Sequence, residues 1–320
     1  MDRPLVSVVI PAYNAELYID EAIRSVQGQT YDNIEIIIVD DGSTDKTAKC
    51  VSPHVPAVQY IYQNNSGGYP GRARNTGISH ASGMYICFLD ADDVMQTNRV
   101  EKQVNFYSKH PGAGLLFMDY QNYSVNGNVG PTHFQTCNRL QEQLEGRQSL
   151  ELQSAEATAI LAKENFGLPS TTMIRRDVLT KIPGFSTELM TSEDFHFFYR
   201  IARFYNVGVI NEVGSFRRLH DNNVTGNSIK VLSNYIISRT DLRNSESNEL
   251  NKRLLNECLY RGELDLTRTY ANQRKIIQAF FHNYRAMICI PAATLEHLKS
   301  VMYAFVRTLA IALHLKKPSP

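Results

Sequence analysis

Four short apolar runs recur through the first 118 residues, at Leu5–Ile10, Ile34–Val39, Val58–Tyr62 and Tyr85–Leu89. Helix-compatible stretches separate them. Apolar positions at Leu17, Ile19, Ala22, Ile23 and Val26 follow the first run, and Gly71–Ala81 reads as a helix before the fourth. The runs are too apolar to leave one face wet, so they read as strands buried on both sides. Such strands alternating with helices imply a mostly parallel sheet flanked by helices, an α/β fold. Open sheets of this kind bind ligands beyond the carboxyl ends of their strands. Polar clusters follow the first, second and fourth runs: Pro11-Ala12-Tyr13-Asn14, Asp40-Asp41-Gly42-Ser43-Thr44 and Asp90-Ala91-Asp92-Asp93. They should meet on one rim. In the second cluster the glycine turns the chain, and Ser43 or Thr44 is placed to cap the next helix.

Composition narrows the class. With 320 residues, 43% of them apolar and 20% charged, the chain reaches the length of roughly two domains and needs no staples. This excludes a disordered chain, a collagen-like repeat and a disulfide-framed miniprotein. Cys50, Cys87, Cys137, Cys258 and Cys289 are scattered, without CxxC spacing, and read as free thiols in a reducing, cytoplasmic setting. The opening MDRPLVSVVIPAYN reads as a first strand, not a signal peptide. No stretch offers the ~20 uninterrupted apolar residues of a membrane span. The best candidate, Val301–Leu315, contains Arg307 and His314. A formal charge of +1 gives no reason to expect nucleic-acid binding. The balance is uneven, however. Residues 1–110 carry 9 Lys/Arg against 13 Asp/Glu, whereas residues 230–320 carry 14 against 7.

The middle of the chain is less regular. Asn126-Gly127 within Tyr123–Val129 signals a hairpin. Leu150–Lys163 reads as a helix, Thr171–Ile174 as a strand, and Glu193–Phe204 as a helix capped by Ser192. Val207–Ile210 and Phe216–Leu219 read as two short strands. From about Lys230 the apolar spacing is helical, with stripes at Ile276, Phe280, Tyr284 and Met287 and at Leu298, Val301, Phe305, Leu309 and Ala312. The expected organisation is a catalytic domain over 1–228, divided into halves at 118/119, followed by a helical region over 229–320.

Asp90-Ala91-Asp92, with Asp93 beside it, carries the sharpest chemical signal. Alternate carboxylates leaving a buried strand can hold a hard divalent cation such as Mg²⁺ or Mn²⁺, with bound phosphates completing the shell. The plainer reading is an acidic turn capping a helix near Thr97. Gly67-Gly68-Tyr69-Pro70-Gly71 has neither P-loop nor GxGxxG spacing, so no Rossmann dinucleotide site is read there.

The segments VSVVIPAYN, QTYDNIEIIIVDDGSTD, ARNTGISHASGMYICFLDADD and PSTTMIRRDVL…GF…EDFHFFYRIA…FRRLHDNNVT resemble a family 2 glycosyltransferase of the GT-A fold. They run in family order over about residues 5–225. The resemblance assigns Pro11, Tyr13 and Asp41 to the nucleotide base, with Asp41 accepting the uracil imide N–H and Tyr13 against the ring. Asn14 joins them, with a plain turn role as its alternative, and Asp40 and Asp41 have helix capping as theirs. Either Arg72 or Arg74 would contact the diphosphate, since the guanidinium fork matches phosphate. Asp92 would ligate the metal, and Asp90 the ribose or the metal shell, with Asp93 a weaker third candidate. Asp194 of Glu193-Asp194 would be the general base of an inverting transfer; acids in a first helical turn also suit the macrodipole. His220, after Arg217-Arg218-Leu219, would approach the metal or diphosphate. Ser170, Thr171 and Thr172 would border the acceptor, or be buried strand residues.

The expected function is therefore a metal-dependent, inverting hexosyltransferase. Its donor would be a nucleotide diphosphate sugar, UDP-linked for preference, and its acceptor a hydroxyl of a cell-surface glycan or lipid-linked saccharide. A nucleotidyltransferase is disfavoured because Pro11-Ala12-Tyr13-Asn14 stands where a Gly-rich triphosphate loop is needed. A non-catalytic binding module is disfavoured by the intact acidic motifs. The basic C-terminal helices would lie on an anionic membrane at its inner face, pack on the catalytic domain, or join a second copy of the chain.

Overall fold

The computed structural model describes residues 3–220, 228–289 and 295–313. The chain divides into two compact units, residues 1–221 and 222–320. In the first, β1 (Val6–Ala12), α1 (Ile19–Gln27), β2 (Ile34–Asp40), α2 (Thr47–Val51), β3 (Gln59–Tyr62), α3 (Pro70–His80) and β4 (Tyr85–Phe88) realise the strand–helix alternation. Strands β3, β2, β1 and β4 lie side by side and parallel. Val6, Val8, Val9 and Ile10 of β1 are fully buried, as continuous β-branched runs require. The face of α1 that covers Val6, Val8 and Ile10 is Ile19, Ala22, Ile23 and Val26. Helix α3 sits unusually close. A Cβ on Gly77 would stand 2.2 Å from Val9 Cγ1, and one on Gly71 would stand 2.5 Å from the Ser186 carbonyl oxygen. Only glycine permits either approach.

The unit continues through β5 (Val94–Met95), α4 (Arg99–Lys109), β6 (Ala113–Ser124), β7 (Gly127–Asn128), α5 (Asn138–Leu144), β8 (Ser149–Leu152), α6 (Ser154–Lys163), β9 (Thr172–Arg175), α7 (Glu193–Ala202) and β10 (Asn206–Arg218). The sheet order is β3-β2-β1-β4-β9-β6-β10-β5, with β7 on β6 and β8 on β10. Beyond β4 the sheet is mixed, because β9 runs antiparallel to both β4 and β6. The hairpin at Asn126-Gly127 forms, with Gly127 at φ +100°.

Three local expectations change. The two short strands expected over 207–219 are one strand, β10, whose register against β6 shifts between Ile210, Val213 and Ser215. Those irregularities break the apolar pattern without ending the pairing. Residues 149–152 pair with β10 before helix α6 begins, so the helix expected from Leu150 is shorter. Ser192 does not cap α7; it lies at φ +62° and makes no side-chain capping bond.

The second unit contains α8 (Ser228–Ser245), α9 (Glu249–Asn272), α10 (Ile276–Ile288) and α11 (Leu295–Ala312). Asn248 caps α9 by accepting the Asn251 N–H. Its core includes Leu259, Leu266 and Ile236, and a second cluster of Tyr260, Leu264, Ala286, Val301 and Ala304. Fully buried Glu263 pairs with His282 at 2.6 Å and Arg285 at 2.8 Å. Tyr284 and Met287 of the first apolar stripe are exposed, while α10 buries Ala279, Asn283 and Ala286. Among the described residues no helix is long and apolar enough to cross a membrane. All five cysteines are free.

Candidate active site

Because β1, β2 and β4 are parallel neighbours, their carboxyl ends open on one edge of the sheet. At the end of β1, Pro11 pairs with Val39 of β2 and Tyr13 is half exposed. Asn14, at φ +48°, donates its backbone N–H to Ser43 Oγ (2.9 Å) and accepts the Thr44 N–H on its side-chain oxygen (2.8 Å). It ties β1 to the loop after β2. Asp40 accepts the Ser43 N–H and the Tyr60 hydroxyl. The nearly buried Asp41 carboxylate accepts from Gln63 Nε2 (2.6 Å), the Ser66 N–H (3.1 Å) and Ser66 Oγ (2.5 Å). Neither acid caps α2. That helix starts at Thr47, whose N–H donates to Asp45.

The central feature is Arg74. Carried by α3 and almost fully buried, it donates Nη2 to Asp90 Oδ1 and Nη1 to Glu193 Oε1, each at 2.6 Å. Burial alone would lower the guanidinium pKa; the charges of Asp90 and Glu193 outweigh it and raise the value. Burial, then the adjacent Asp194 charge, push the Glu193 carboxyl up to about 7 against the pull of Arg74. Asp194 is half-buried in the first turn of α7, where Oδ1 accepts the Phe195 N–H at 2.6 Å. Arg72 lies elsewhere. It donates to the carbonyls of Thr187 and Ser66 and rests 4.5 Å over the Tyr69 ring. Among the described residues no carboxylate pairs with it, so its charge remains available.

Asp92 faces His220, with Oδ2 2.9 Å from Nε2 and the acid side chain 31% exposed. His220 also stacks on Tyr18, with ring centroids 5.0 Å apart. Asp93 turns inward. It accepts from Ser170 Oγ and the Arg218 N–H, and burial with the charges of Asp90 and Asp92 raises its pKa well above the carboxylate range. No group of three His, Cys, Asp or Glu side chains forms a ready metal cage among the described residues. A carboxylate and an imidazole in contact at the rim do fit a divalent cation that arrives with phosphate oxygens, Mn²⁺ or Mg²⁺ by ligand type.

The sequence profile of "Glycosyl transferase family 2" matches residues 7–182, more than half of the chain. The chain belongs to glycosyl transferase family 2. It is 30% identical over 242 residues to the Escherichia coli UDP-Glc:alpha-D-GlcNAc-diphosphoundecaprenol beta-1,3-glucosyltransferase WfgD, covering 72% of this chain and 84% of that one. The chain spans about half the length of another relative, an uncharacterized glycosyltransferase of Haemophilus influenzae. Staphylococcus aureus TarS 1–349 in complex with UDP-GlcNAc shares the fold, with TM-score 0.68, 19% identity, and 96% and 89% of the two chains covered. So does the mannosyltransferase PcManGT of Pyrobaculum calidifontis in complex with GDP-Man and Mn²⁺, with TM-score 0.61, 19% identity, and 99% and 82% covered.

Within this family 2 site, two supporting residues escape sequence reading. Ser170 is fully buried, as are Thr171 and Thr172, in keeping with the alternative of buried structural residues. Its hydroxyl donates to Asp93 and accepts the Asp90 N–H at 3.0 Å, which clamps the acidic turn. Arg99, also fully buried, donates to the carbonyls of Phe88, Ser170 and Thr172 and to Gln103. It pins the end of β4 to the segment entering β9. In the sequence it looks like a solvent-facing residue at a helix start; in the fold it shares the buried side of α4 with Gln103 and Phe106.

Proposed function

We propose that this chain is a metal-dependent, inverting glycosyltransferase. It would move a hexose from a UDP-sugar to a hydroxyl of a growing glycan or lipid-linked saccharide at the cytoplasmic face of the membrane. The observation that carries the proposal is Arg74. It joins Asp90 of the Asp90-Ala91-Asp92 turn to Glu193 of the Glu193-Asp194 pair, so two acidic motifs remote in sequence form one charged rim. The names of WfgD, TarS and PcManGT, which between them mention UDP-sugars, GDP-Man, Mn²⁺ and a lipid-linked acceptor, point the same way.

In this reading Tyr13 lies against the base, Asp41 accepts its imide N–H, and Pro11 and Asn14 shape the turn beneath it. Arg72 meets the diphosphate, because Arg74 is already committed to two carboxylates. Asp92 and His220 would hold the cation, with Asp90 turned toward the ribose or the metal shell. When bound, the cation neutralises charge building on the departing diphosphate. Asp194 takes the proton from the acceptor hydroxyl as that oxygen attacks the anomeric carbon from the face opposite the diphosphate. Glu193 positions the site through Arg74.

The test is nucleoside diphosphate release from a panel of nucleotide sugars, with Mn²⁺, Mg²⁺ or chelator, with and without a lipid-linked saccharide. Metal-stimulated UDP release is expected. Asp92→Ala should lower it by several kcal/mol of transition-state stabilisation, about 10³-fold, with folding stability within ~0.5 kcal/mol. Turnover near wild type in that variant removes Asp92 from the metal site.

A further inference from the structure

Helices α10 and α11 of the second unit carry a row of large apolar side chains on the outside. On α10, Ile277, Phe281, Tyr284 and Ile288 recur at helical spacing and are 55–83% exposed. On α11, Leu298, Met302, Val306 and Leu309 do the same at 41–58%. The opposite faces are richer in small or polar residues: Ala279, Asn283 and Ala286 on α10, and Ala304 and Thr308 beside Val301 and Ile311 on α11. The two helices pack together, with Phe280 and Phe305 ring centroids 5.2 Å apart. A helix of a water-soluble core is built the other way, with large residues in and polar residues out. Buried faces made largely of small or polar residues, with large apolar residues outside, suit helices whose outer medium is itself apolar.

The charges around this face select the medium. Residues 274–313 carry five Lys/Arg and one acid, Glu296; Arg285 is paired with Glu263, which leaves four cations. Arg274, Lys275 and Lys299 are exposed, while Tyr284 and Tyr303 add amphipathic rings of the kind found at headgroup depth. Apposing two copies of so basic a surface brings like charges together, whereas an anionic bilayer complements it. We infer that the α10–α11 face docks on the surface of an anionic membrane, its apolar side chains set at the headgroup–acyl boundary. The helices lie on the bilayer and do not span it. The inference stands on this face alone, independently of the reaction proposed above.

Co-sedimentation of the full chain with phosphatidylglycerol/phosphatidylcholine vesicles and with pure phosphatidylcholine tests it. Binding to the anionic vesicles is expected, weakening at high salt. Lys275→Gln and Lys299→Gln should each lower the partition coefficient about fivefold. The fourfold variant Ile277→Ser, Phe281→Ser, Met302→Ser and Val306→Ser should abolish binding while leaving the circular dichroism melt and nucleotide affinity unchanged. Substituted residues that are already solvent-exposed give the fold no reason to fail, and the melt checks this directly. Wild-type protein that stays in the supernatant overturns the inference. So does a wild-type oligomer, seen by sedimentation velocity without lipid, that the fourfold variant dissolves while vesicles bind neither protein.

Discussion

The two acidic motifs divide their labour in the same way. In each, Arg74 takes one carboxylate and leaves the other. Asp90 and Glu193 are held at 2.6 Å by the buried guanidinium, while the Asp92 carboxylate meets His220 at the rim and Asp194 stays half-buried at a helix start. Neighbouring acids in one motif therefore differ in kind. The Arg74-bound members are part of the frame, and their loss should be felt in stability. The others carry little of the fold, and their loss should be felt in chemistry.

The largest effect that would sharpen this contrast is at Asp194. Asp194→Asn should lower sugar transfer by roughly 10²–10⁴, the scale of a lost general base, with UDP affinity and the thermal midpoint unchanged. A collapse of UDP affinity instead would move Asp194 into the donor site and break the symmetry of the two motifs. Next comes Arg74→Met, which strands two carboxylates beside each other. Removing one partner of a buried ion pair costs ~3–5 kcal/mol, so denaturant unfolding should shift strongly. A midpoint equal to wild type would mean that Arg74 holds nothing together.

What the sequence revealed of this arrangement follows physical lines. The strands β1, β2 and β4 and the polar clusters after them were legible because a strand buried on both faces needs an uninterrupted apolar run. Direction and pairing were not, since β9 looks the same whether it runs with or against β4. Strand β10 was split because its irregular stretch, Asn211–Gly214, interrupts the apolar pattern while the ladder continues through Val213 and Ser215. Arg99 and Ser170 were invisible as supports because burial of a polar side chain depends on carbonyls contributed by distant segments. The stripes of α10 and α11 were legible as stripes. Periodicity identifies a face but not what lies against it, so their outward orientation needed the structure. The choice between Arg72 and Arg74 also rested on tertiary position.

A smaller effect tests the frame by titration. Glu193 has a folded pKa of about 7 against an ordinary value of 4.5. Between those limits the folded state binds more protons than the unfolded state, so stability falls as pH rises through that window. The slope approaches ~1.4 kcal/mol per pH unit where the two states differ by a full proton. Glu193→Gln should flatten this part of the profile relative to wild type. Parallel pH–stability curves for the two proteins would show that Glu193 stays ionised against Arg74 throughout.

The smallest effect concerns Asp41, which belongs to neither class cleanly because it both anchors a loop and is offered to the base. Its carboxylate already accepts from Gln63 and Ser66, yet an ionised carboxylate has about four lone-pair directions and can take one more N–H. Asp41→Ala should weaken UDP binding by ~1–3 kcal/mol, about 5- to 150-fold, through the unsatisfied imide N–H. Loosening the loop alone gives a comparison: Ser66→Ala removes one anchor but leaves the base acceptor in place, and should change UDP affinity much less. The nucleobase supplies the sharper test. Uracil presents an N–H at the ring position where cytosine presents a bare nitrogen, so wild-type protein should prefer UDP to CDP and Asp41→Ala should erase that preference. Equal weakening of UDP and CDP, matched by Ser66→Ala, would return Asp41 to the frame alongside Asp90 and Glu193.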